Sequence, residues 1–304
     1  MGKKEEFKKI IGEPLNYEFE KQFIFLKKYE LSEFDCEVYK QANGVRPDGT
    51  VTFQKVIIAY PKNISGKLPG VVIPFYFPEA AMGFDPESSE YLEKYSENPT
   101  MLDIVKHGYV TISAESYHLT YAECYLEKTD FKRWDEVAKI FNQEHPEWSG
   151  VGKLIADTKL LIDVLEKDSR VDSEKIGIAG HSLGGKIAFL TGCFDDRIKV
   201  ILASDFGIAW HQTNWDAPWY WGNKINTLKE QNLENIMLLK ETDTKPFCLI
   251  AGKFDTDESR KIIYSLDEYK NSPEKVFIVN HRAGHRPPKY AVEAGYYFLD
   301  EYLK

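Results

Sequence analysis

The five-residue segment 180–184, Gly-His-Ser-Leu-Gly, limits the folds open to this chain more than any other feature of its sequence. The apolar run at residues 175–179 predicts a short buried strand, and residues 185–190 predict a helix. A serine in such a sharp turn has a positive φ angle, and glycines two residues away on either side let the strand and the helix approach each other. The segment is therefore typical of a nucleophile elbow that exposes the Ser182 hydroxyl at the edge of a sheet.

Strand-like and helix-like patterns alternate over most of the chain. Residues 36–40 and 51–60 predict an antiparallel hairpin, joined by a turn-rich segment. From residue 70 onward, apolar runs alternate with helical patterns, which predicts an α/β fold with a mostly parallel sheet and helices on both faces. The length of 304 residues fits a single domain, and no repeat or flexible linker marks a boundary.

Three segments lie outside this alternation. Residues 1–34 mix lysine and glutamate with apolar residues, which predicts an N-terminal helical extension packed against the body of the protein. Residues 116–149 and 206–244 interrupt the pattern with aromatic and charged residues, and we expect both to be excursions that form a cap over the site. The second excursion contains four of the six tryptophans within twelve residues.

The charge and composition of the chain limit its partners. Its formal net charge is −9 without any basic cluster, which argues against nucleic acid or an anionic membrane as a partner. No segment is apolar for long enough to span a bilayer, and the charged N-terminal residues lead into no apolar run typical of a secretion signal. The four cysteines lack C-x-x-C spacing, which favours reduced thiols. We therefore expect a cytoplasmic protein that acts on a small molecule.

A serine hydroxyl at an elbow becomes a good nucleophile only when a histidine base and an orienting carboxylate reach it. We expect the base to be His285, in a loop rich in glycine and proline after the last predicted strand. His281 lies four residues earlier, but this spacing brings two imidazoles onto one metal only on a helix, so we expect neither a metal nor a cofactor. His181 is expected to pack away from the Ser182 hydroxyl, and His107 is expected to end a helix.

Three aspartates are candidates for the acid that orients this histidine. Asp255 follows a predicted buried strand at residues 246–251, and loops at the carboxyl ends of parallel strands collect catalytic groups. Asp205, at the end of the preceding strand, is its main rival, and Asp257 is a lesser candidate. We expect Asp255 to be the acid, although any of these carboxylates could instead cap a turn or a helix.

Backbone N–H groups normally stabilise the oxyanion that forms when a serine attacks a carbonyl. The Leu183 N–H, at the start of the predicted helix, is the first expected donor. The second is expected from the loop after the predicted strand at residues 71–75, where Phe77 is the best candidate and Tyr76 the next.

The aromatic residues of the excursions are candidates for substrate contacts. Trp210, Asn214 and Trp215 in the second excursion and Tyr117 in the first could line a pocket for an acyl group or a sugar. One alternative is that the rings only bury the excursion against the body of the protein. Another is that they form a contact between the subunits of a homo-oligomer.

Taken together, the elbow, an aspartate after a late strand and a histidine after the last strand resemble the α/β-hydrolase fold, over residues 36–304. Within that superfamily, the sequence from residue 171 to residue 199 is similar to bacterial dienelactone-hydrolase-like and acetyl xylan esterase-like proteins. The resemblance implies a serine esterase. It carries four roles over to this chain: nucleophile Ser182, base His285, acid Asp255 and oxyanion donor Leu183.

The chain departs from this resemblance at two places. Dienelactone hydrolases have a cysteine at the elbow, where this chain has Ser182, so ordinary ester hydrolysis is favoured over dienelactone chemistry. The related proteins often have His-Gly at the start of the oxyanion loop, where this chain has Phe-Tyr-Phe-Pro at residues 75–78.

The sequence thus predicts a serine carboxylic-ester hydrolase that forms an acyl-enzyme on a small ester, with an acetyl ester of a carbohydrate as one example. An amidase or peptidase is an alternative, because the same three side chains can cleave an amide. A second alternative, from another class of protein, is a binding protein that keeps the fold without a working site.

Overall fold

The computed structural model describes residues 2–12, 19–95, 100–243 and 245–304. Its helices are α1 (Lys3–Ile11), α2 (Pro78–Met82), α3 (Met101–Lys106), α4 (Tyr117–Thr120), α5 (Phe131–Glu144), α6 (Gly150–Lys167), α7 (Leu183–Phe194), α8 (Lys224–Glu230), α9 (Asn235–Lys240), α10 (Asp257–Ile263), α11 (Asp267–Asn271) and α12 (Lys289–Leu303). Its strands are β1 (Phe23–Glu30), β2 (Phe34–Val45), β3 (Val51–Pro61), β4 (Leu68–Val72), β5 (Phe84–Asp85), β6 (Glu90–Tyr91), β7 (Val110–Ala114), β8 (Val171–His181), β9 (Ile198–Ser204), β10 (Phe247–Ala251) and β11 (Val276–Asn280).

Nine of the strands in the described residues form one sheet, in the order β1-β2-β3-β7-β4-β8-β9-β10-β11. The pairs β1–β2, β2–β3 and β3–β7 are antiparallel, and every later pair in this order is parallel. Strands β7 and β10 are buried along their whole length, as expected for parallel strands covered on both faces. The predicted mostly parallel sheet with an antiparallel N-terminal hairpin is confirmed.

Helices cover both faces of this sheet. Leu161 of α6 and Ile187 of α7 belong to the hydrophobic core on one face, while Ile104 of α3 and Leu299 of α12 belong to the core on the other. Within the described ranges, no helix is both long enough and apolar enough to cross a membrane.

The register of the parallel strands brings their carboxyl ends to one edge of the sheet. His181 pairs with Ser204, and Ser204 pairs with Ile250. Ala251 in turn pairs with Asn280. The residues that follow β8, β9, β10 and β11 therefore lie side by side, where open α/β sheets assemble their sites.

The N-terminal extension is only partly helical, which corrects the prediction of a helical segment over residues 1–34. Helix α1 ends at Ile11, and Phe23–Glu30 form the edge strand β1. The short apolar run in this strand fits a helix or a strand by pattern alone, and pairing with β2 decides between them. Met1 and residues 13–18 lie outside the described residues.

The two excursions are built of short helices. The first contains α4 and α5, and the second contains α8 and α9, with its predicted end at Thr244 outside the described residues. The four tryptophans of the second excursion are at most 7% exposed, so burial explains most of this aromatic density and these rings offer no surface to another subunit. They are Trp210, Trp215, Trp219 and Trp221.

Helix α1 docks onto the second excursion through Phe7, which is fully buried with its ring centroid 6.5 Å from Trp210 and 6.3 Å from Trp221. Phe7→Ala should therefore lower the free energy of unfolding, measured by chemical denaturation, by about 3–5 kcal/mol. Phe25 on β1 is 54% exposed and packs edge-on against Tyr39, so Phe25→Ala is the matched control with an expected change below about 1 kcal/mol. Equally small effects at both positions would show that α1 does not dock there.

Candidate active site

Ser182 lies in the sharp turn between β8 and α7. Its φ of 55° and ψ of −114° lie outside the regions that L-residues ordinarily occupy. Its backbone N–H donates to the Ser204 carbonyl at 2.8 Å, which ties the turn to the end of the neighbouring strand β9. The residue is half-buried, so the strained turn presents the Ser182 hydroxyl at an accessible edge of the sheet.

The glycines on either side of Ser182 allow close contact between backbone segments. A Cβ atom on Gly180 would overlap the Gly184 carbonyl, and one on Gly184 would overlap the Pro74 carbonyl in the loop after β4. Strand β8, helix α7 and this loop can therefore meet only because both positions lack a side chain.

His285 connects Ser182 to an aspartate. Its Nε2 lies 3.0 Å from Ser182 Oγ, and its Nδ1 lies 2.6 Å from Asp205 Oδ2. The His285 side chain is 33% exposed, whereas the Asp205 side chain is fully buried. The ring of Phe254 packs edge-on against the imidazole at a centroid distance of 4.9 Å. The hydroxyl, the imidazole and the carboxylate thus form one continuous chain of hydrogen bonds.

The carboxylate beside His285 belongs to Asp205, which corrects the preference for Asp255 drawn from the sequence. Asp205 follows the last residue of β9 directly, with a φ of 41°, so its side chain lies at the strand end. Asp255 lies four residues beyond the end of β10. Its carboxylate instead accepts hydrogen bonds from backbone N–H groups after β9, two of which belong to Phe206 and Gly207.

The surroundings of Asp205 keep it ionised. Burial raises the pKa of this carboxyl, but hydrogen bonds from His285 and from the backbone N–H groups of Asp255 and Phe254 outweigh burial, so the pKa lies below its ordinary value. Asp205 therefore carries a negative charge next to His285 Nδ1 at neutral pH.

His181 packs against His285, with ring centroids 4.6 Å apart. Its Nδ1 lies 2.9 Å from Ser204 Oγ. Burial lowers the pKa of His181 to about 3, so this imidazole is neutral at pH 7 and adds no positive charge beside His285.

Two groups near Ser182 could donate hydrogen bonds to an oxyanion. Leu183 is the first residue of α7, where backbone N–H groups have no acceptor within the helix. The Tyr76 side chain lies near Ser182, and burial raises the pKa of Tyr76 to about 12, so its hydroxyl stays protonated. Phe77, the donor preferred from the sequence, precedes α2, and its ring packs edge-on against Tyr95. The ring contact does not test the Phe77 backbone N–H, which stays a predicted donor, and the Tyr76 hydroxyl is a second candidate beside Ser182.

Lys186 is a polar residue of the site that the sequence analysis misses. Its backbone N–H bonds the Ser182 carbonyl one helical turn earlier, and its side chain is buried. The ammonium lies 4.9 Å and 5.0 Å from the ring centroids of Trp215 and Tyr220, and 3.5 Å from Asn214 Oδ1. Burial lowers its pKa to about 7. A single lysine in the otherwise apolar sequence of α7 is the signal that could have revealed it.

Of the four predicted substrate-binding residues, Asn214 is exposed and the other three are buried. Asn214 and Trp215 lie next to Lys186, and Trp215 Nε1 donates to a backbone carbonyl at 2.7 Å. Trp210 is buried, and its Nε1 donates to a backbone carbonyl at 2.7 Å. Tyr117 is also fully buried, with its hydroxyl 3.4 Å from a backbone carbonyl. Trp210, Trp215 and Tyr117 thus belong to the core of the excursions.

Part of the sequence is similar to one protein family, and part of it is similar to one further protein. The family model for fungal glucuronyl esterase matches residues 132–244, a segment that includes the elbow and Asp205 and ends before His285. The Bacillus subtilis (strain 168) protein YtaP is 28% identical over 144 residues, which cover 46% of this chain and 44% of YtaP. The chain therefore spans less than half the length of this relative.

The three-dimensional similarity extends over nearly the whole chain. A glucuronoyl esterase from Solibacter usitatus has a TM-score of 0.69 at 12% identity, covering 95% of this chain and 87% of that one. A glucuronoyl esterase from Teredinibacter turnerae T7901 has a TM-score of 0.66 at 16% identity, covering 93% and 79%. An acetyl xylan esterase from Paenibacillus sp. R4 has a TM-score of 0.60 at 15% identity, covering 94% and 90%. The chain has the α/β-hydrolase fold, as the sequence predicts.

The contact between Gly184 and the loop after β4 leads to a stability prediction. Gly184→Ala should lower the free energy of unfolding by about 3 kcal/mol, because the new Cβ atom would overlap the Pro74 carbonyl and neither backbone segment can yield easily. Thermal and chemical denaturation measure the change. Ser182→Ala, two residues earlier, adds no atom and is the control, expected to stay within about 1 kcal/mol. A Gly184→Ala variant as stable as this control would contradict the steric account.

Proposed function

We propose that this chain is a serine carboxylic-ester hydrolase in which Ser182 is the nucleophile, His285 the base and Asp205 the acid. The observation that carries the proposal is the hydrogen-bond chain from Ser182 Oγ through the imidazole to Asp205, with distances of 3.0 Å and 2.6 Å. The similarity to esterases in the family model and in the solved structures supports it.

The geometry supports a two-step reaction through an acyl-enzyme. His285 Nε2 takes the proton of the Ser182 hydroxyl as the oxygen attacks the ester carbonyl, and the charge of Asp205 stabilises the imidazolium. The tetrahedral oxyanion accepts hydrogen bonds from the Leu183 N–H and the Tyr76 hydroxyl. Its collapse breaks the ester C–O bond, and His285 returns the proton to the leaving alcohol. Water, activated by the same imidazole, then hydrolyses the acyl-enzyme.

The substrate class proposed is a small ester on a carbohydrate. The names of the similar proteins, glucuronoyl esterases and an acetyl xylan esterase, refer to carbohydrate esters of two kinds. Asn214, which is exposed and lies 3.5 Å from Lys186 Nζ, supports the same class, because its amide and the Lys186 amine can donate hydrogen bonds to the oxygens of a sugar.

Cleavage of an amide or a peptide is a second candidate activity, since the same triad serves both reactions. A panel of p-nitrophenyl acetate, acetylated xylosides, methyl glucuronate esters and peptide p-nitroanilides separates the two activities.

We further propose that the protein works in the cytoplasm, which the free thiols of Cys36, Cys124, Cys193 and Cys248 support.

Loss of the triad should abolish ester turnover without unfolding the protein. We expect Ser182→Ala to lower kcat for p-nitrophenyl acetate by at least about 10⁴-fold and to abolish labelling by a fluorophosphonate probe. Asp205→Asn should lower kcat by about 10³- to 10⁴-fold, because an amide cannot hold the imidazole in the reactive tautomer. Asp257→Asn removes an exposed carboxylate and is the control, with an expected change below about twofold.

Two results would contradict these assignments. Ester turnover that survives Ser182→Ala would rule out the nucleophile. A wild-type chain that neither labels with the fluorophosphonate nor hydrolyses any ester of the panel would favour the alternative of a binding protein with this fold.

The role of Lys186 can be separated from the chemistry of the triad. Lys186→Met should raise KM for a carbohydrate ester about tenfold or more, since a hydrogen bond from a charged group is lost, and should change KM for p-nitrophenyl acetate by less than about twofold. The melting temperature should change little, because the cost of burying the amine offsets its contacts with Trp215, Tyr220 and Asn214. Equal effects on both substrates would contradict a contact with the sugar.

A further inference from the structure

Asp205 and Asp255 follow neighbouring strands, and each binds the backbone of the loop that carries the other. Asp205 Oδ1 accepts three backbone hydrogen bonds, from the N–H groups of Gly252 at 3.2 Å, Phe254 at 2.8 Å and Asp255 at 2.9 Å. These donors occupy one oxygen of the Asp205 carboxylate. The other oxygen, Oδ2, is left facing His285.

Asp255 makes the reciprocal contacts. Its Oδ2 accepts the N–H groups of Phe206 and Gly207, both at 2.8 Å, and its Oδ1 accepts the Ile208 N–H at 2.9 Å. The Ser259 hydroxyl donates to Oδ1 as well, also at 2.9 Å. Asp255 therefore binds the three residues that directly follow Asp205.

These contacts hold a strained piece of backbone in place. Asp205 has a φ of 41°, in the left-handed region that a residue with a side chain occupies at a cost. Its own N–H donates to the Ile250 carbonyl at 2.8 Å, which fixes the chain on one side of it. On the other side, the N–H groups of Phe206, Gly207 and Ile208 all donate hydrogen bonds to the Asp255 carboxylate.

We propose that Asp255 is a positioning residue that orients the Asp205 carboxylate toward His285. The inference rests on the proposed function, because it assigns Asp255 a part in the same site. Asp255 acts on both elements that set the direction of the Asp205 side chain: it binds the loop that follows Asp205, and it belongs to the loop whose N–H groups occupy Asp205 Oδ1.

A carboxylate suits this position better than its amide isostere. Three of its four partners are backbone N–H groups, which can only donate, and the fourth is the Ser259 hydroxyl. In Asp255→Asn, an amide NH₂ would face N–H donors where an oxygen now accepts them. The loop after β9 would then have to move, and the Asp205 carboxylate with it.

The test compares Asp255→Asn with Asp257→Asn as the control. Asp257 lies two residues away, and its exposed carboxylate accepts hydrogen bonds from Asn280 and Arg282. We expect Asp255→Asn to lower kcat for p-nitrophenyl acetate about 10- to 100-fold while KM changes less than about threefold. We also expect the far-downfield proton resonance of the His285 Nδ1–H, absent in His285→Ala, to shift or disappear. Asp257→Asn should leave the resonance and the kinetic constants unchanged.

The resonance requires no substrate, so it separates this inference from the proposed function. A shifted resonance in Asp255→Asn together with a wild type inactive on every ester would overturn the function and support the positioning role. A folded Asp255→Asn with unchanged kcat and resonance would overturn the positioning role.

If Asp255→Asn does not fold, Ser259→Ala becomes the deciding variant, since it removes one of the four donors. We then expect kcat to fall about two- to fivefold and the resonance to shift measurably. Unchanged values of both would overturn the proposal.

Discussion

The steric fit at the elbow is the constraint on which the rest of the site depends. Gly180 and Gly184 bring β8, α7 and the loop after β4 into backbone contact, and a side chain at either position would force them apart. This contact fixes three groups at once: the Ser182 hydroxyl, the Leu183 N–H at the start of α7 and the loop that carries Tyr76. The proposed nucleophile and the proposed donors to its oxyanion thus share one rigid support, which is the arrangement that electrostatic stabilisation of a transition state requires.

The parallel register of the sheet places two carboxylates close together at the same edge. Asp205 and Asp255 are both fully buried, and two negative charges in such surroundings repel each other. Backbone N–H groups of the opposite loop bond each carboxylate: together with His285 they hold the pKa of Asp205 below its ordinary value, whereas burial still raises the pKa of Asp255. The same hydrogen bonds join the loop after β9 to the loop after β10. The position of Asp205, the proposed acid, therefore depends on both loops.

Local signals in the sequence are sufficient for much of this architecture. The alternation of strands and helices, the elbow at Ser182 and the loop of His285 each depend on a short run of residues, and each can be predicted from it. The choice between Asp205 and Asp255 depends on how far each side chain lies beyond the end of its strand, which becomes clear only in three dimensions. Lys186 and Asn214, likewise, are 28 residues apart, so only the folded second excursion brings them together.

Burial also decides which of two neighbouring histidines can act as the base. His181 and His285 have ring centroids 4.6 Å apart, and both are adjacent to the elbow. Burial lowers the pKa of His181 to about 3, and its Nδ1 meets the Ser204 hydroxyl rather than a carboxylate. His285 is a third exposed, and its Nδ1 lies 2.6 Å from the Asp205 carboxylate. In the proposed reaction the Ser182 proton therefore passes to His285, whose Nε2 lies 3.0 Å from Ser182 Oγ, and not to His181.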